Sequence, residues 1–180
     1  MKESNTRDAV HAFRTRLGWI AILGCDRTLK ALAFGHASAD AAVAALDARL
    51  VSGAPRRKWN DAMVRNLEAY AAGTEQTFLD IEVDPGDFSD FQRKVTRACR
   101  RIPWGGTLTY GQLAIRAGYP GAARAAGNCM AGNRIPLVIP CHRVLGADGR
   151  LRGYSAPGGL TMKRRLLELE GVWPRRSQKP

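Results

Sequence analysis

The sequence predicts an α/β protein of two modules, a small first module that mixes strands with helices and a mostly helical second module. Short apolar runs alternate with helical patterns in residues 1–87, whereas helical patterns dominate residues 88–180. The charge balance changes at the same place, since residues 1–87 hold 11 lysines and arginines against 12 acidic residues, and residues 88–180 hold 17 against 4. The turn-forming stretch Asp84-Pro85-Gly86-Asp87 marks this change, so we place the module boundary after it.

Size and composition limit the class of protein. With 180 residues, of which 45% are hydrophobic, the chain is long enough for two small modules that share an interface. No apolar run approaches the roughly 20 residues that cross a bilayer, and residues 1–10 lack the apolar core of a secretory signal. Four cysteines without CxxC spacing are typical of free thiols in a reducing compartment. We therefore expect a soluble, cytoplasmic protein.

The first module opens with a predicted β-hairpin. Residues 19–24 and 29–34 are short apolar runs, and the four residues between them can form the turn. Two helices follow, because Ser38 and Asn60 can each cap a segment that carries apolar residues at helical spacing. Residues 77–83 are predicted to form a further strand.

An amphipathic helix opens the second module. Its apolar stripe at helical spacing is formed by Phe88, Phe91, Val95, Cys99 and Ile102. The stripe stops at Pro103, which ends the helix. Cys99 lies on this stripe, so we expect it in the core.

A helix-turn-helix pattern follows. Thr109 begins a Thr-x-x-Gln capping box that opens a short helix, and Gly118 can end it. After the turn at Tyr119-Pro120-Gly121, residues 122–130 predict a second helix of small side chains, in which Arg124 is the one long side chain. Such a helix can lie against a nucleic-acid backbone, but small residues equally suit a tightly packed helix pair. The net charge of +12, concentrated in this module, favours nucleic acid over a merely solvated surface.

The residues that can carry chemistry are concentrated around Cys141. Residues 135–140 form an apolar, strand-like run that delivers Cys141-His142-Arg143-Val144 at its end. A thiol becomes a useful nucleophile only as the thiolate, and a neighbouring base or positive charge, here His142 or Arg143, can lower its pKa. Adjacent residues of an extended chain point to opposite faces, so His142 reaches Cys141 only if the backbone turns there or a water bridges them.

Five stretches between residues 109 and 155 form a recognisable set of motifs. They are Thr109-Tyr110-Gly111-Gln112-Leu113-Ala114, Ala122-Ala123-Arg124-Ala125, Gly132-Asn133, Ile139-Pro140-Cys141-His142-Arg143-Val144 and Gly153-Tyr154-Ser155. This set closely resembles the O6-alkylguanine-DNA alkyltransferases, also called methylated-DNA–protein-cysteine methyltransferases, from about residue 88 to 171. The resemblance implies a first domain of ribonuclease-H-like α/β topology over residues 1–87 and a winged-helix domain over residues 88–180.

The resemblance also implies catalytic roles for matching residues. Cys141 is similar to the cysteine that accepts the alkyl group, with His142 as its base acting through water and Glu170 as the group that orients the histidine. Asn133 resembles the hinge asparagine between the recognition helix and the active-site segment. Tyr110 resembles the tyrosine that helps to rotate the nucleotide and can protonate the departing guanine.

A second group of matching residues would bind DNA or the lesion. Arg124 resembles the arginine that enters the duplex from the minor groove and takes the place of the flipped base. Tyr154 and Ser155 resemble the pocket wall and a hydrogen-bond donor to the lesion oxygen, and we place Arg143 with them as a DNA- or substrate-binding residue. The implied partner is double-stranded DNA, bound largely without regard to sequence and in a lesion-dependent way by a monomer that contacts no membrane.

The implied reaction moves an alkyl group from O6-alkylguanine, with O4-alkylthymine as a second candidate substrate, to Cys141 after the nucleotide has been flipped out. The product is a stable thioether, so one molecule repairs one lesion, and neither a metal nor an organic cofactor is required. Some relatives bind zinc in the first module. Here Cys25 resembles one ligand while Lys30 stands where a histidine would be expected, so we predict no structural zinc.

Two departures from the family pattern lie close to the predicted site. Arg134 follows Asn133 where many relatives have proline, which predicts a softer hinge. Ala156-Pro157 lies between Ser155 and the following glycines, which lengthens the pocket loop.

Three other functions remain as alternatives. An alkyltransferase-like protein binds lesions without reversing them, but its cysteine is typically replaced, whereas Cys141 and its neighbours are intact here. A helix-turn-helix regulator that senses alkylation needs sequence readout, for which the second helix offers little beyond Arg124 and Asn128. A cysteine hydrolase would need an oxyanion hole, to which nothing in the sequence points.

Overall fold

The computed structural model describes residues 8–84 and 86–172, which fall into two compact units. The first unit comprises Met1–Phe88 and Asn133–Val138, and the second comprises Ser89–Gly132 and Ile139–Pro180. Most of the polar segment 1–10, together with Pro85, lies outside the described residues. Within the described ranges, no helix combines the length and the apolar character needed to cross a bilayer.

The second passage of the chain through the first unit was not predicted, because residues 133–138 were assigned to the second module. The backbone N–H of Leu32 donates a 2.9 Å hydrogen bond to the carbonyl of Arg134. This bond joins segments about a hundred residues apart in sequence, and such pairing leaves no local pattern in either segment.

Three antiparallel strands form the centre of the first unit. They are β1 (Ala9–Thr15), β2 (Gly18–Cys25) and β3 (Thr28–His36). The predicted β2–β3 hairpin is confirmed, and Asp26 in its turn has a φ of 48°, a left-handed conformation that Asp tolerates in tight turns. The sequence analysis missed β1, because His11 and Arg14 interrupt its apolar residues.

Short segments extend this sheet on both sides. On one side β4 (Glu82–Val83) pairs in parallel with β3. On the other side Arg56 forms a parallel bridge with Val10 of β1. The strand predicted over residues 77–83 is therefore wrong for most of its length. Residues 78–81 form a turn, in which the N–H of Ile81 donates to the carbonyl of Phe78.

The helices of the first unit begin where their caps predict. They are α1 (Ala39–Ala44), α2 (Ala48–Val51) and α3 (Asp61–Ala71). The side-chain oxygens of Ser38 and Asn60 accept from backbone N–H groups in the first turns of α1 and α3, which confirms both predicted caps. The helix after Ser38 is shorter than expected, because Asp47 caps a separate α2.

The described part of the second unit contains four α-helices and two short strands. They are α4 (Asp90–Arg100), β5 (Leu108–Thr109), α5 (Tyr110–Arg116), α6 (Ala123–Ala131), β6 (Val144–Leu145) and α7 (Gly159–Leu169). The capping box at Thr109 is confirmed, and Gly118 follows α5 with a φ of 87°. Cys99 is fully buried on α4, as predicted. Strands β5 and β6 pair in parallel.

The apolar run before Cys141 is not the extended strand that the sequence predicted. Leu137 adopts a φ of 71° and Arg134 to Val138 contain bends and turns. Pro136 and Pro140 remove two backbone donors that a strand would use, which gives a physical reason for the turns. The chain then forms one turn of 3₁₀ helix, Cys141–Arg143, which leads directly into β6.

Candidate active site

A cavity of about 290 Å³ in the second unit holds the predicted acceptor cysteine. Its lining residues are Tyr110, Gly127, Met130, Ala131, Cys141, Gly153, Tyr154 and Ser155. The fold therefore brings together four of the predicted site residues from three separate stretches of sequence. Cys141 is nearly buried, and this cavity gives access to it.

Local structure explains how the tyrosine and the cysteine come to face the same space. Tyr110 is the first residue of α5, directly after the capping residue Thr109. A Cβ added to Gly127 of α6 would make ordinary van der Waals contact with the Tyr110 ring at 3.7 Å, so the ring packs directly against this part of the helix. Cys141 begins the 3₁₀ turn, and this turn supplies the change of direction that an extended chain would not provide for His142.

His142, Arg143 and Glu170 form a buried network beside the cavity. His142 Nε2 lies 2.7 Å from Glu170 Oε1, and the side chains of both residues are fully buried. The Arg143 guanidinium donates to both carboxylate oxygens, from Nε at 2.8 Å and from Nη2 at 2.9 Å. Its Nη1 donates to the carbonyl of Ile102 at 2.6 Å.

The network fixes the protonation states of its members. Burial alone would raise the pKa of Glu170, but the hydrogen bonds and charges of His142 and Arg143 outweigh it and hold that pKa at about 2. Burial lowers the pKa of His142, although the hydrogen bond to Glu170 opposes this shift. We therefore treat His142 as a neutral imidazole that donates from Nε2 to Glu170, which leaves the lone pair on Nδ1.

The structure corrects the role expected for Arg143. The residue was predicted to bind DNA or substrate, yet its side chain is 6% exposed and its guanidinium is committed to Glu170 and Ile102. A guanidinium held in this way cannot turn to a phosphate without leaving the buried carboxylate uncompensated. Arg143 instead positions Glu170.

Lys163 is a site residue that sequence reasoning missed. Its side chain is fully buried, and Nζ donates to the carbonyls of Val144 at 2.6 Å and Arg152 at 2.9 Å. It thereby ties the strand after the Cys141 turn to the loop that carries Tyr154, and burial lowers its pKa to about 8. One signal could have found it, because Lys163 and Glu170 are seven residues apart and so share the apolar face of α7.

The other three cysteines lie apart from the cavity, and each has a perturbed thiol. Among the described residues, Cys25, Cys99 and Cys129 are outside the cavity lining. Burial raises the pKa of each of these three thiols, most strongly for Cys99. Higher pKa values leave less thiolate at neutral pH, so these cysteines are poorer nucleophiles than an ordinary thiol.

Asn133 and Arg134 belong to the first unit and do not line the cavity. Asn133 Oδ1 accepts from the N–H of Ile135 at 3.0 Å, which fixes the start of the segment. The guanidinium of Arg134 lies 5.9 Å from the centre of the Phe88 ring, while its carbonyl accepts from Leu32. Arg134 is thus held through both main chain and side chain, which opposes the softer hinge expected from the loss of proline.

Arg124 and the lengthened loop also lie outside the cavity lining. Arg124 is exposed near the start of α6. In the loop, the N–H of Gly159 donates to the carbonyl of Ala156 at 2.9 Å, which closes a turn immediately before α7. In the first unit Lys30 Nζ pairs with Asp8 at 2.9 Å, and no cluster of three or more metal-binding side chains occurs among the described residues.

Comparison with known proteins places this geometry in a family. The model of the 6-O-methylguanine DNA methyltransferase DNA-binding domain matches residues 90–172, which include every cavity-lining residue. The crystal structure of Mycobacterium tuberculosis O6-methylguanine methyltransferase superposes with a TM-score of 0.76 at 35% identity, covering 93% of this chain and 96% of that one. The chain belongs to the O6-methylguanine-DNA methyltransferase family.

Further members of the family agree with this assignment. The crystal structure of Mycobacterium tuberculosis OGT in complex with DNA has a TM-score of 0.74 at 35% identity and covers 90% of this chain and 92% of that one. A methylated-DNA–protein-cysteine methyltransferase from Mycolicibacterium paratuberculosis is 52% identical over 107 residues, or 59% of this chain and 62% of the relative. The aligned part thus spans less than two thirds of that curated relative. The mixed α/β fold predicted from sequence is confirmed.

Proposed function

We propose that this protein repairs DNA by transferring an alkyl group from O6 of guanine to Sγ of Cys141, once per molecule. The observation that carries the proposal is the placement of Cys141 in one cavity with Tyr110, Tyr154 and Ser155, next in sequence to the buried His142–Glu170 pair. Membership of the family supports the same reaction. The family model matches residues 90–172, the part of the chain in which all of these residues lie.

The residues divide the chemistry as follows. Nδ1 of His142 takes the thiol proton of Cys141 through a water, and Glu170 stabilises the imidazolium that results. The thiolate attacks the alkyl carbon, so an S–C bond forms as the C–O6 bond breaks and its electron pair moves to the guanine. Tyr110 supplies a proton to the leaving base. Burial raises the pKa of Tyr110, so the phenol keeps this proton until the base departs.

Ser155 and Tyr154 define how the lesion would sit. Both residues line the same cavity as Tyr110. Ser155 donates a hydrogen bond to the lesion oxygen, and Tyr154 forms a wall against the base. O4-alkylthymine offers a similar oxygen and is the second candidate substrate. The cavity must admit an extruded nucleotide, because a paired base hides its alkyl group in the stack.

Double-stranded DNA is the partner that we propose for the second unit. Its α6 presents small side chains with Arg124 exposed among them, a surface that can enter the minor groove while Arg124 fills the space of the flipped base. Binding would be lesion-dependent, largely independent of sequence and carried out by a monomer. The solved DNA complex of the Mycobacterium tuberculosis relative supports DNA as partner.

We also propose the finer fold assignments, with a domain boundary near residue 87. Three antiparallel strands and a segment at Arg56 that runs parallel to β1 support a ribonuclease-H-like topology for the first unit. The α5–α6 pair and the turn that closes between Gly146 and Arg150 support a winged helix in the second, with that turn as the wing.

The proposed function is tested by mass. The protein is incubated with duplex carrying one O6-methylguanine, and intact mass spectrometry is expected to show a gain of one methylene that peptide mapping assigns to Cys141. Cys141→Ala serves as the variant that binds but does not react, with Cys129→Ala as its control. A label on Cys25, Cys99 or Cys129, or transfer by the Cys141→Ala protein, would contradict the proposal. Binding by the wild type without any mass gain would favour a lesion-binding protein instead.

A further inference from the structure

One face of α6 is exposed and carries two side chains long enough to reach a partner. Its exposed residues are Arg124, Ala125, Asn128 and Ala131. Arg124 and Asn128 are four residues apart, so they lie one above the other on the same side of the helix. The alanines beside them are short enough to let a groove wall approach the helix closely.

Asn128 lies closer than Arg124 to the cavity-lining residues of α6 along the helix. The residues on either side of it along the chain include Gly127, Met130 and Ala131, all of which line the cavity. Arg124, by contrast, is outside that lining. The helix axis rises about 6 Å over the four residues from Arg124 to Asn128, which is more than one base step of about 3.4 Å, so the two side chains can reach different base positions.

The chemistry of a carboxamide suits this position. In the minor groove every base pair presents acceptor atoms on its edge, so a neutral donor can bind there without selecting a sequence. The Asn128 amide supplies such a donor, and asparagine is one of the side chains that minor-groove proteins use. An arginine at the same place would add charge, whereas an alanine would leave the edge unbound.

We propose that Asn128 is a positioning residue for the reaction, whose Nδ2 donates to the minor-groove edge of a base pair next to the extruded nucleotide. This proposal rests on the proposed function, because it assumes that α6 enters the minor groove beside a flipped lesion. Asn128 holds the neighbouring pair in place while Arg124 occupies the gap. The contact helps the duplex to stay open and contributes nothing to the chemistry inside the cavity.

The test compares Asn128→Ala and Asn128→Asp with wild type in single-turnover transfer. Asn66→Ala, the same substitution inside α3 of the first unit, controls for the change in helix propensity. The duplex carries one O6-methylguanine, with adenine or 3-deazaadenine as its neighbour on one side or the other, because 3-deazaadenine lacks the acceptor in the minor groove. Free O6-benzylguanine is the second substrate, since it needs no extrusion.

We expect Asn128→Ala to slow transfer from the duplex about fivefold, the effect of losing one neutral hydrogen bond. Asn128→Asp should be slower still, because it replaces the donor with a charge that the DNA repels. Wild type should lose a similar factor with 3-deazaadenine at one of the two neighbouring positions, and Asn128→Ala should lose nothing further there. All three proteins should react equally with the free base.

Other results would overturn the inference. Equal duplex rates for wild type and Asn128→Ala would show that the amide makes no useful contact. A parallel loss on the free base would place Asn128 in support of the cavity. A loss in Asn128→Ala that is the same with adenine and with 3-deazaadenine at both neighbouring positions, while wild type loses nothing with 3-deazaadenine, would show that the amide binds the backbone and not a base edge. If wild type reacts with neither substrate, the proposed function has failed, which is a different outcome from all of these.

Discussion

The imidazole of His142 and the carboxylate of Glu170 meet at 2.7 Å with both side chains withdrawn from solvent. Because Arg143 binds the same carboxylate through two nitrogens, Glu170 has little freedom to move away from the histidine. The pair therefore holds one imidazole nitrogen as a donor and leaves the other as a base.

Replacing the carboxylate should slow the reaction while leaving DNA binding intact. Glu170→Gln keeps the shape but can no longer stabilise the imidazolium, so we expect the single-turnover rate on free O6-benzylguanine to fall at least about tenfold. Glu168→Gln, two residues earlier and exposed, is the matched control. An unchanged rate for Glu170→Gln in a protein that still folds would remove His142 from the role of base.

The rate of transfer should respond to acid in a way that reports on His142. Its pKa is lowered from 6.5 by burial, so the neutral, active form persists below the pH at which an ordinary histidine would protonate. We expect the rate on free O6-benzylguanine to show no histidine-like loss above pH 6.5 and to decline only at lower pH. The pH dependence of the rate is measured by quenching the reaction at fixed times across this range. The Glu170→Gln protein is assayed under the same conditions. A decline in rate centred above pH 6.5 would mean that the hydrogen bond to Glu170 raises the pKa of His142 more than burial lowers it.

Lys163 should leave a signature in folding stability at alkaline pH. Its folded pKa is about 8, below its ordinary value of 10.5, so between these values the unfolded chain binds more protons. Stability contributed by this residue must then rise with pH across that window, by about 3 kcal/mol at most. Buried cysteines act in the opposite direction, since raised thiol pKa values make the folded state retain protons.

The comparison of wild type with Lys163→Met measures the lysine together with its charge interaction with Cys99, since Lys163 lowers the pKa of that thiol and the cysteines are otherwise common to both proteins. Urea unfolding is measured at several pH values from 7.5 to 10.5. The free energy of unfolding of wild type should increase relative to that of the variant as pH rises. Parallel curves for the two proteins would show that the lysine titrates normally. The same variant should also transfer more slowly, because the Val144 and Arg152 carbonyls lose their shared donor.

Loss of Arg124 should affect duplex DNA more than a free base. Arg124→Ala removes the side chain that fills the vacated space, so we expect single-turnover repair of duplex to fall while the rate on free O6-benzylguanine stays the same. Arg124→Lys should rescue only partly, since lysine lacks the planar fork of the guanidinium. Arg116→Ala, an exposed arginine on α5, is the control. Equal losses on both substrates would place Arg124 in support of the cavity, and full rescue by more DNA would reduce it to a phosphate contact.

Local patterns predicted those parts of the fold that depend on neighbouring residues. The caps at Ser38, Asn60 and Thr109 each depend on a side chain and a backbone group within three residues, so the sequence displays them directly. The buried stripe around Cys99 follows helical spacing in the same way. One failure was non-local, the bond from Leu32 to Arg134, whereas the strands predicted at residues 77–83 and 135–140 failed because local turns replace most of each.

The candidate site likewise contains features that the sequence predicts and features that it does not. Motif resemblance identified four of the cavity-lining residues and the His142–Glu170 pair, whereas Arg143 was predicted to bind DNA or substrate. The partner that decides its role, Glu170, lies on another helix 27 residues away, where no pattern around Arg143 points. Lys163 was missed for a related reason, since its acceptors are backbone carbonyls that any sequence supplies.

The chain passes through the first unit twice, and this limits how the two units can be separated by cleavage or truncation. Because residues 133–138 belong to the first unit while both flanking segments belong to the second, the catalytic half is a discontinuous domain. A single protease cut near Gly86 would nick the polypeptide without releasing either half. A truncated gene product starting at Ser89 would carry an orphaned segment, deprived of the β3 edge that binds Arg134, immediately upstream of Cys141. Engineering a minimal transferase therefore requires redesign of that loop as well as removal of the first unit.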